Sequence, residues 1–403
     1  MKIAFTVNGP GEYAGWLRPL LLALYARAPQ LQASVFFVPD DFATGREAPV
    51  ARAEFPQLQT FEPSEYVRFA LGMRLGRAPQ RVDRVQYLGG DLMHAARLAK
   101  RLDAIATSYK FSRPRYRERF ARVFAVDERN RDELVRWKTP PERIDIVGNL
   151  AIDGAFHEAE QSDAKGDALT SGGIVIMPGA RRAEIANMVP FFLRVAIHLR
   201  AMDPSIPISF GISPFTTADE LARALAAGGL PTVYGARGRV ATHDDVLYLQ
   251  SEDGAHEFPA LRRSMRLATR ARLTVTIPGT KTIELAALGV PTVVTVPFNA
   301  PEAAVITGPL QYLERIPVIG TPVKRQIVVR YTKRFHFFAQ PNIDADRELF
   351  PELAGTLTPG FVARNVYERY GDATWQKESS ELLRALYAPH RGASVRMAEA
   401  LAA

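Results

Sequence analysis

Residues 273–294 read Leu-Thr-Val-Thr-Ile-Pro-Gly-Thr-Lys-Thr-Ile-Glu-Leu-Ala-Ala-Leu-Gly-Val-Pro-Thr-Val-Val. The apolar, β-branched run 273–277 has the composition of a buried strand and stops at Pro278-Gly279. A helix-forming stretch follows, Gly289 and Pro291 end it, and a second strand-like run begins at Thr292. Strand, small-residue turn, helix, strand is the βαβ unit, and it implies a parallel sheet.

The same succession recurs in two other places. Run 3–7 ends at Asn8-Gly9-Pro10-Gly11-Glu12 and leads into a helical stretch from about residue 12 to 28. Run 173–177 ends at Pro178-Gly179-Ala180-Arg181 and leads into a helix over 182–202. Further strands are expected at 34–38, 85–88, 104–108, 123–126 and 144–147 in the first half. In the second half they are expected at 206–212, at Val233, and at 246–249 and 292–296. Residues 158–173 are polar, small and aperiodic, which reads as a linker. The expected architecture is therefore α/β, with two Rossmann-like halves and ligands at the strand C-termini facing a crevice.

Composition narrows the chemistry. The chain has 403 residues, 47% hydrophobic and 23% charged, with no cysteine and a formal net charge of +8. Those fractions are globular, and the length suits two or three domains. Absent cysteines exclude disulfides, thiolate metal sites and thiol nucleophiles. No apolar run approaches the roughly 18 residues of a spanning helix, and run 3–7 is too short for a signal peptide. A cytoplasmic, soluble chain with an anionic partner is the expectation.

The turns carry the chemistry. Backbone amides at a helix start attract phosphate oxygens, so Gly11, Gly179 with Arg181, and Gly279 with Thr280 and Thr282 are candidate anion cradles. Glu284, one turn inside its helix, can accept from ribose hydroxyls. Glu184 in a first helical turn is simply stabilising there. Neither GxGxxG nor GxxxxGK[ST] occurs, which leaves nicotinamide and P-loop chemistry unsupported, and no GxSxG anchors an esterase triad. The seven histidines show no paired metal-ligand spacing. Asp344-Ala345-Asp346 is a lone DxD, and no metal or cofactor is expected from it.

Three blocks carry a family resemblance: 178–185 (PGARRAEI), 278–294 (PGTKTIELAALGVPTVV) and 340–353 (QPNIDADRELFPEL). Their order and spacing are similar to lipid-A-disaccharide synthases, as a divergent member, over about residues 174 to 353. The first half departs: Pro10-Gly11-Glu12-Tyr13 replaces a family Ser-Gly-Asp, and Asn149 follows Gly148 in place of a histidine. The resemblance implies a GT-B fold, with an acceptor domain at 1–160, a nucleotide-sugar donor domain at 161–360 and helices at 361–403 crossing back. It implies an inverting hexosyltransferase that moves a diacylglucosamine-type sugar from UDP to a lipid-phosphate sugar acceptor. Asp91 would be the general base, with Glu12 the alternative, and Asn342 and Arg347 would lie near the donor. The bland reading of Asp91 is a cap on the helix that starts at Leu92. Other readings are a UDP-N-acetylglucosamine 2-epimerase, a glycolipid glycosyltransferase, or a non-catalytic nucleotide-sugar or membrane-surface binding protein.

Two basic, apolar stretches remain. Phe69, Leu71 and Met73, interleaved with Arg74 and Arg77, suit an interfacial helix on anionic lipid, where the family has a membrane-facing region. The implied location is the inner face of the cytoplasmic membrane, held peripherally. Residues 324–338 interleave cations and aromatics without any RNA-binding signature, so no nucleic-acid partner is expected.

Overall fold

The computed structural model describes residues 1–40, 43–110, 116–299 and 336–402; the basic residues of 324–334 and Phe335 lie outside them. The chain divides into two compact units. One comprises Met1–His157 with Tyr387–Ala403, the other Glu158–Leu386.

The first unit is built on seven strands: β1 (Lys2–Val7), β2 (Gln32–Phe37), β3 (Gln59–Phe61), β4 (Arg84–Tyr87), β5 (Ile105–Tyr109), β6 (Arg122–Ala125) and β7 (Ile144–Ile146). They run in the order β3-β2-β1-β4-β5-β6-β7, with every pair parallel. Helices cover both faces of such a sheet, so its strands read as continuous apolar runs, here Ile3, Ala4 and Phe5 at 0% exposure. The strand order reverses between β1 and β4, and that gap is the topological switch point where α/β sheets bind ligands.

The second unit holds β8 (Ile174–Met177), β9 (Ile208–Gly211), β10 (Gly238–His243), β11 (Val246–Ser251), β12 (Glu257–Leu261), β13 (Leu273–Thr276), β14 (Thr292–Pro297) and β15 (Glu352–Gly355). Their order is β10-β11-β12-β9-β8-β13-β14-β15, antiparallel only at β10–β11 and β11–β12. Its switch point lies between β8 and β13. The core is a cluster centred on Phe191, Phe192, Phe210 and Val275.

Several expectations are corrected. Val233 ends a short 3-10 turn, Pro231–Val233, because Pro231 fixes the local backbone. The unexpected β10 joins β11 through Asp244 and Asp245, both with positive φ (48° and 62°), in a tight two-residue hairpin turn. The expected linker is largely helical: Asp163 caps Ala164–Thr170 through the Gly166 amide at 3.0 Å, and Asp167 pairs with Arg266 at 2.5 Å. Helix Arg182–Met202 is long and apolar enough to cross a membrane by length and composition, contrary to the reading of short runs only. Its Phe191, Phe192 and Leu193 lie fully buried in the core instead.

Helix Pro359–Gly371, expected to return to the first half, stays with the second unit because Val362, Ala363 and Val366 fill that core. Only the segment from Tyr387 belongs to the first unit. There Asp153 accepts from the Gly392 and Ser394 amides, both at 2.7 Å, and fastens the start of the final helix Ala393–Ala402.

Candidate functional site

At the switch point of the first sheet, the turns after β1 and β4 meet. Asn8 donates from Nδ2 to Asp40 at 2.8 Å, while its buried Oδ1 has no partner among the described residues. A side chain on Gly89 would overlap that Oδ1, and a Cβ on Gly90 (φ +87°) would stand 2.5 Å from Val38. Glycines are there because the two turns pack backbone against side chain. The Gly90 carbonyl is fixed by the Tyr87 hydroxyl at 2.8 Å. From Pro10 the chain is helical to Arg27, with a π turn at Tyr13–Leu17. Tyr13 donates to Glu54 at 2.7 Å and Arg18 pairs with the same carboxylate at 2.6 Å, which locks that turn.

Asp91 caps helix Leu92–Arg101: one carboxylate oxygen accepts the Met93 amide at 2.8 Å, and the residue is otherwise exposed. The cap and a chemical role are compatible, since a carboxylate has two oxygens. Glu12 is half-buried and folded back along the turn, its Oε2 3.0 Å from where a Gly9 Cβ would sit. Gly11 is exposed, with open space above it. Sequence reasoning missed the next pair. Tyr66 Oη and His94 Nδ1 are 2.8 Å apart, with the rings edge to face. Burial holds the His94 pKa below its ordinary value, against the neighbouring Asp91 charge, and pushes the Tyr66 phenol up to about 12.

The two turns at the second switch point have opposite fates. After β8, the buried Glu184 accepts the amides of Ala180 (2.9 Å) and Arg181 (3.0 Å) and the Arg181 guanidinium (3.1 Å). Gly179 (φ +100°) leaves room for that carboxylate. The expected diphosphate cradle at Gly179 and Arg181 is thus filled by the chain's own anion. After β13, no side chain caps helix Thr280–Ala287. Gly279, at φ +154°, has nothing within 4 Å of a would-be Cβ, and both it and Thr280 are exposed. Thr282 turns inward, its hydroxyl donating to the Gly279 carbonyl at 2.8 Å, and braces the turn. Glu284 is half-buried one turn on. The open helix start therefore presents backbone amides, with Thr280 and Lys281 beside them.

Asn342 is corrected from donor contact to framework. It donates to the Phe350 carbonyl and Glu352, and accepts from the Leu349 and Phe350 amides, all at 2.8 Å. Those four bonds use its full capacity. Burial holds the Glu352 carboxyl above the usual range although the Phe338 and Ala339 amides donate to it. Arg347 lies exposed just beyond, its amide on the Asn342 carbonyl.

The basic, apolar stretch is also divided. Phe69 is 5% exposed and stacks on Phe36, while Arg77 lies 4.4 Å over the Phe61 ring and pairs with Glu65 at 2.6 Å. Phe69 points into the fold, contrary to the membrane-facing expectation, while Arg77 stays exposed and is held to the surface by Glu65 and the Phe61 ring. Leu71 and Met73 are 73% and 47% exposed, with Arg74 beside them, and Arg101 steadies their turn through the Gly72 carbonyl at 3.1 Å.

No family model matches this sequence, and no curated protein matches it. Solved structures do resemble it. The UDP-N-acetylglucosamine 2-epimerase of Neisseria meningitidis, solved with UDP-N-acetylglucosamine, has a TM-score of 0.55 at 12% identity, covering 100% of both chains. A Listeria monocytogenes protein assigned as a UDP-N-acetylglucosamine 2-epimerase has a TM-score of 0.58 at 13% identity, covering 100% of this chain and 95% of that one. HepE of Anabaena, in complex with UDP and glucose, has 0.51 at 10%, covering 100% of both. The chain has a two-domain GT-B-like fold. These neighbours overturn the resemblance to lipid-A-disaccharide synthases: the likeness is to UDP-N-acetylglucosamine 2-epimerases, and no sequence match supports the synthase family. The three blocks that suggested it are strand–turn–helix units of this fold together with a self-satisfied Asn342 loop, and any such chain needs small residues there.

Proposed function

We propose that this chain is an enzyme of UDP-activated sugars, with a UDP-N-acetylglucosamine-type substrate and epimerisation at a sugar carbon as its reaction. The uncapped helix start carries the reading, because an anion is the natural partner of the Thr280 and Lys281 amides at a strand C-terminus. The fold likeness to proteins solved with UDP or UDP-N-acetylglucosamine supports the same ligand. Inverting a C–H centre needs a group that takes a proton and one that returns it; Asp91 is the proposed base, with Glu12 the second carboxylate of that turn cluster.

UDP at a hundredfold excess over Kd is expected to stabilise the native state by about 2.7 kcal/mol, several degrees in Tm. Gly279→Val should abolish that shift, because a β-branched side chain strains a φ of +154° and covers the amides. An unchanged shift would move the diphosphate elsewhere. Incubation with UDP-N-acetylglucosamine in D2O should place deuterium at C2; UDP binding without exchange would remove epimerisation.

The anionic membrane remains a proposed partner for the exposed Leu71, Met73 and Arg74 only. Sedimentation with anionic vesicles is expected at about 0.05 M salt and should fade toward about 0.5 M. Leu71→Asp with Met73→Asp should abolish it, and binding that survives both changes would place the contact elsewhere.

A further inference from the structure

Tyr66 is 2% exposed and its phenol has one hydrogen to place. His94 Nδ1, at 2.8 Å, is its hydrogen-bond partner among the described residues. If Nδ1 carried a proton, it would donate to the phenol and strand the phenolic hydrogen in the core. The hydroxyl therefore donates, Nδ1 accepts, and the neutral ring carries its proton on Nε2. That Nε2–H has no partner among the described residues. The ring edge that bears it runs along the strand-end turn, with Cδ2 3.7 Å from where a Gly90 Cβ would be. Asp91, with one oxygen uncommitted to the cap, stands exposed one helical turn away.

We infer that His94 is a fixed hydrogen-bond donor for a sugar hydroxyl at the β1–β4 switch point, held in that tautomer by Tyr66. A donor beside a carboxylate acceptor matches a sugar hydroxyl, which both gives and takes hydrogen bonds, and matches a phosphate poorly because phosphate oxygens only accept. Asp91 supplies the acceptor. Tyr66 is a positioning residue, acting through the ring and touching no ligand. The inference rests on the reading above only for the sugar's identity.

Nitrogen-15 NMR of the imidazoles, assigned with His94→Gln, tests the device directly. The wild type should show His94 protonated on Nε2, and Tyr66→Phe should mix the tautomers and raise the apparent His94 pKa, since the lost bond favoured the neutral ring. A wild-type ring protonated on Nδ1 overturns the inference. The His94 signals are then followed against N-acetylglucosamine and against UDP-N-acetylglucosamine, with Tm against UDP alone as the separate arm. A shift with either sugar, together with a tenfold or greater loss of that sugar's affinity in His94→Gln, is expected. UDP stabilisation without any sugar-induced His94 change overturns this inference and leaves the UDP reading standing. A His94 change with N-acetylglucosamine but no effect of UDP does the reverse, and silence in every arm overturns both.

Discussion

Asp91→Asn should lower turnover of UDP-N-acetylglucosamine by 10²- to 10⁴-fold, the range lost when a general acid or base is removed. UDP stabilisation should stay near the wild-type value. The separation is expected because the cap of helix Leu92–Arg101 uses one oxygen of Asp91, on the Met93 amide at 2.8 Å. Asparagine keeps that oxygen and is an equally good N-cap, so the fold should lose only a few tenths of a kcal/mol. Asp91→Ala removes cap and carboxylate together and should cost about 1 kcal/mol as well as activity. The informative comparison is Glu12→Gln. Its carboxylate is half-buried and folded along Gly9, less free to move than the exposed Asp91. Retained activity in Asp91→Asn with loss in Glu12→Gln would transfer the base to Glu12.

The architecture was largely legible in the sequence, because parallel strands covered on both faces leave continuous apolar runs that stop at glycine turns. Runs 3–7, 173–177 and 273–277 each became a strand ending at a switch-point turn. What escaped was set by geometry between distant segments. Tyr66 and His94 are 28 positions apart, and nothing in either neighbourhood marks them as partners. The two turns of the second switch point look equivalent as sequence, each a Pro-Gly step before a helix. Glu184 is the third residue of its helix and its carboxylate reaches back over Gly179 to the helix start, whereas helix Thr280–Ala287 begins two residues sooner after its glycine and leaves Glu284 fifth, beyond the capping position. Where each helix begins after its glycine decides which start remains open to an anion. The missed β10 is an antiparallel edge strand with exposed positions, where the apolar signal is weak, whereas the buried β12 carries Pro259, which argues against a strand in sequence.

Asn342→Ala should destabilise the second unit by about 3–5 kcal/mol, on the order of 10 °C in Tm, while Arg347→Ala should stay within about 0.5 kcal/mol. Both residues come from the same sequence block, so the pair separates framework from surface. Asn342 is fully buried and holds two amides, one carbonyl and the Glu352 carboxylate, all at 2.8 Å. Truncation leaves those groups buried without partners, and each such orphan costs about 1–3 kcal/mol before any relaxation. Glu352 suffers most, because its carboxyl is already held above the usual range by burial and depends on the Phe338, Ala339 and Asn342 donors. Arg347 is exposed, and its amide bond to the Asn342 carbonyl survives truncation of the side chain. Thermal melts with and without UDP distinguish this from a ligand role. A framework Asn342 lowers Tm equally in both melts, so the UDP-induced increment persists. A ligand residue would spare the melt without UDP and lose the increment, and that result would return Asn342 to the donor site.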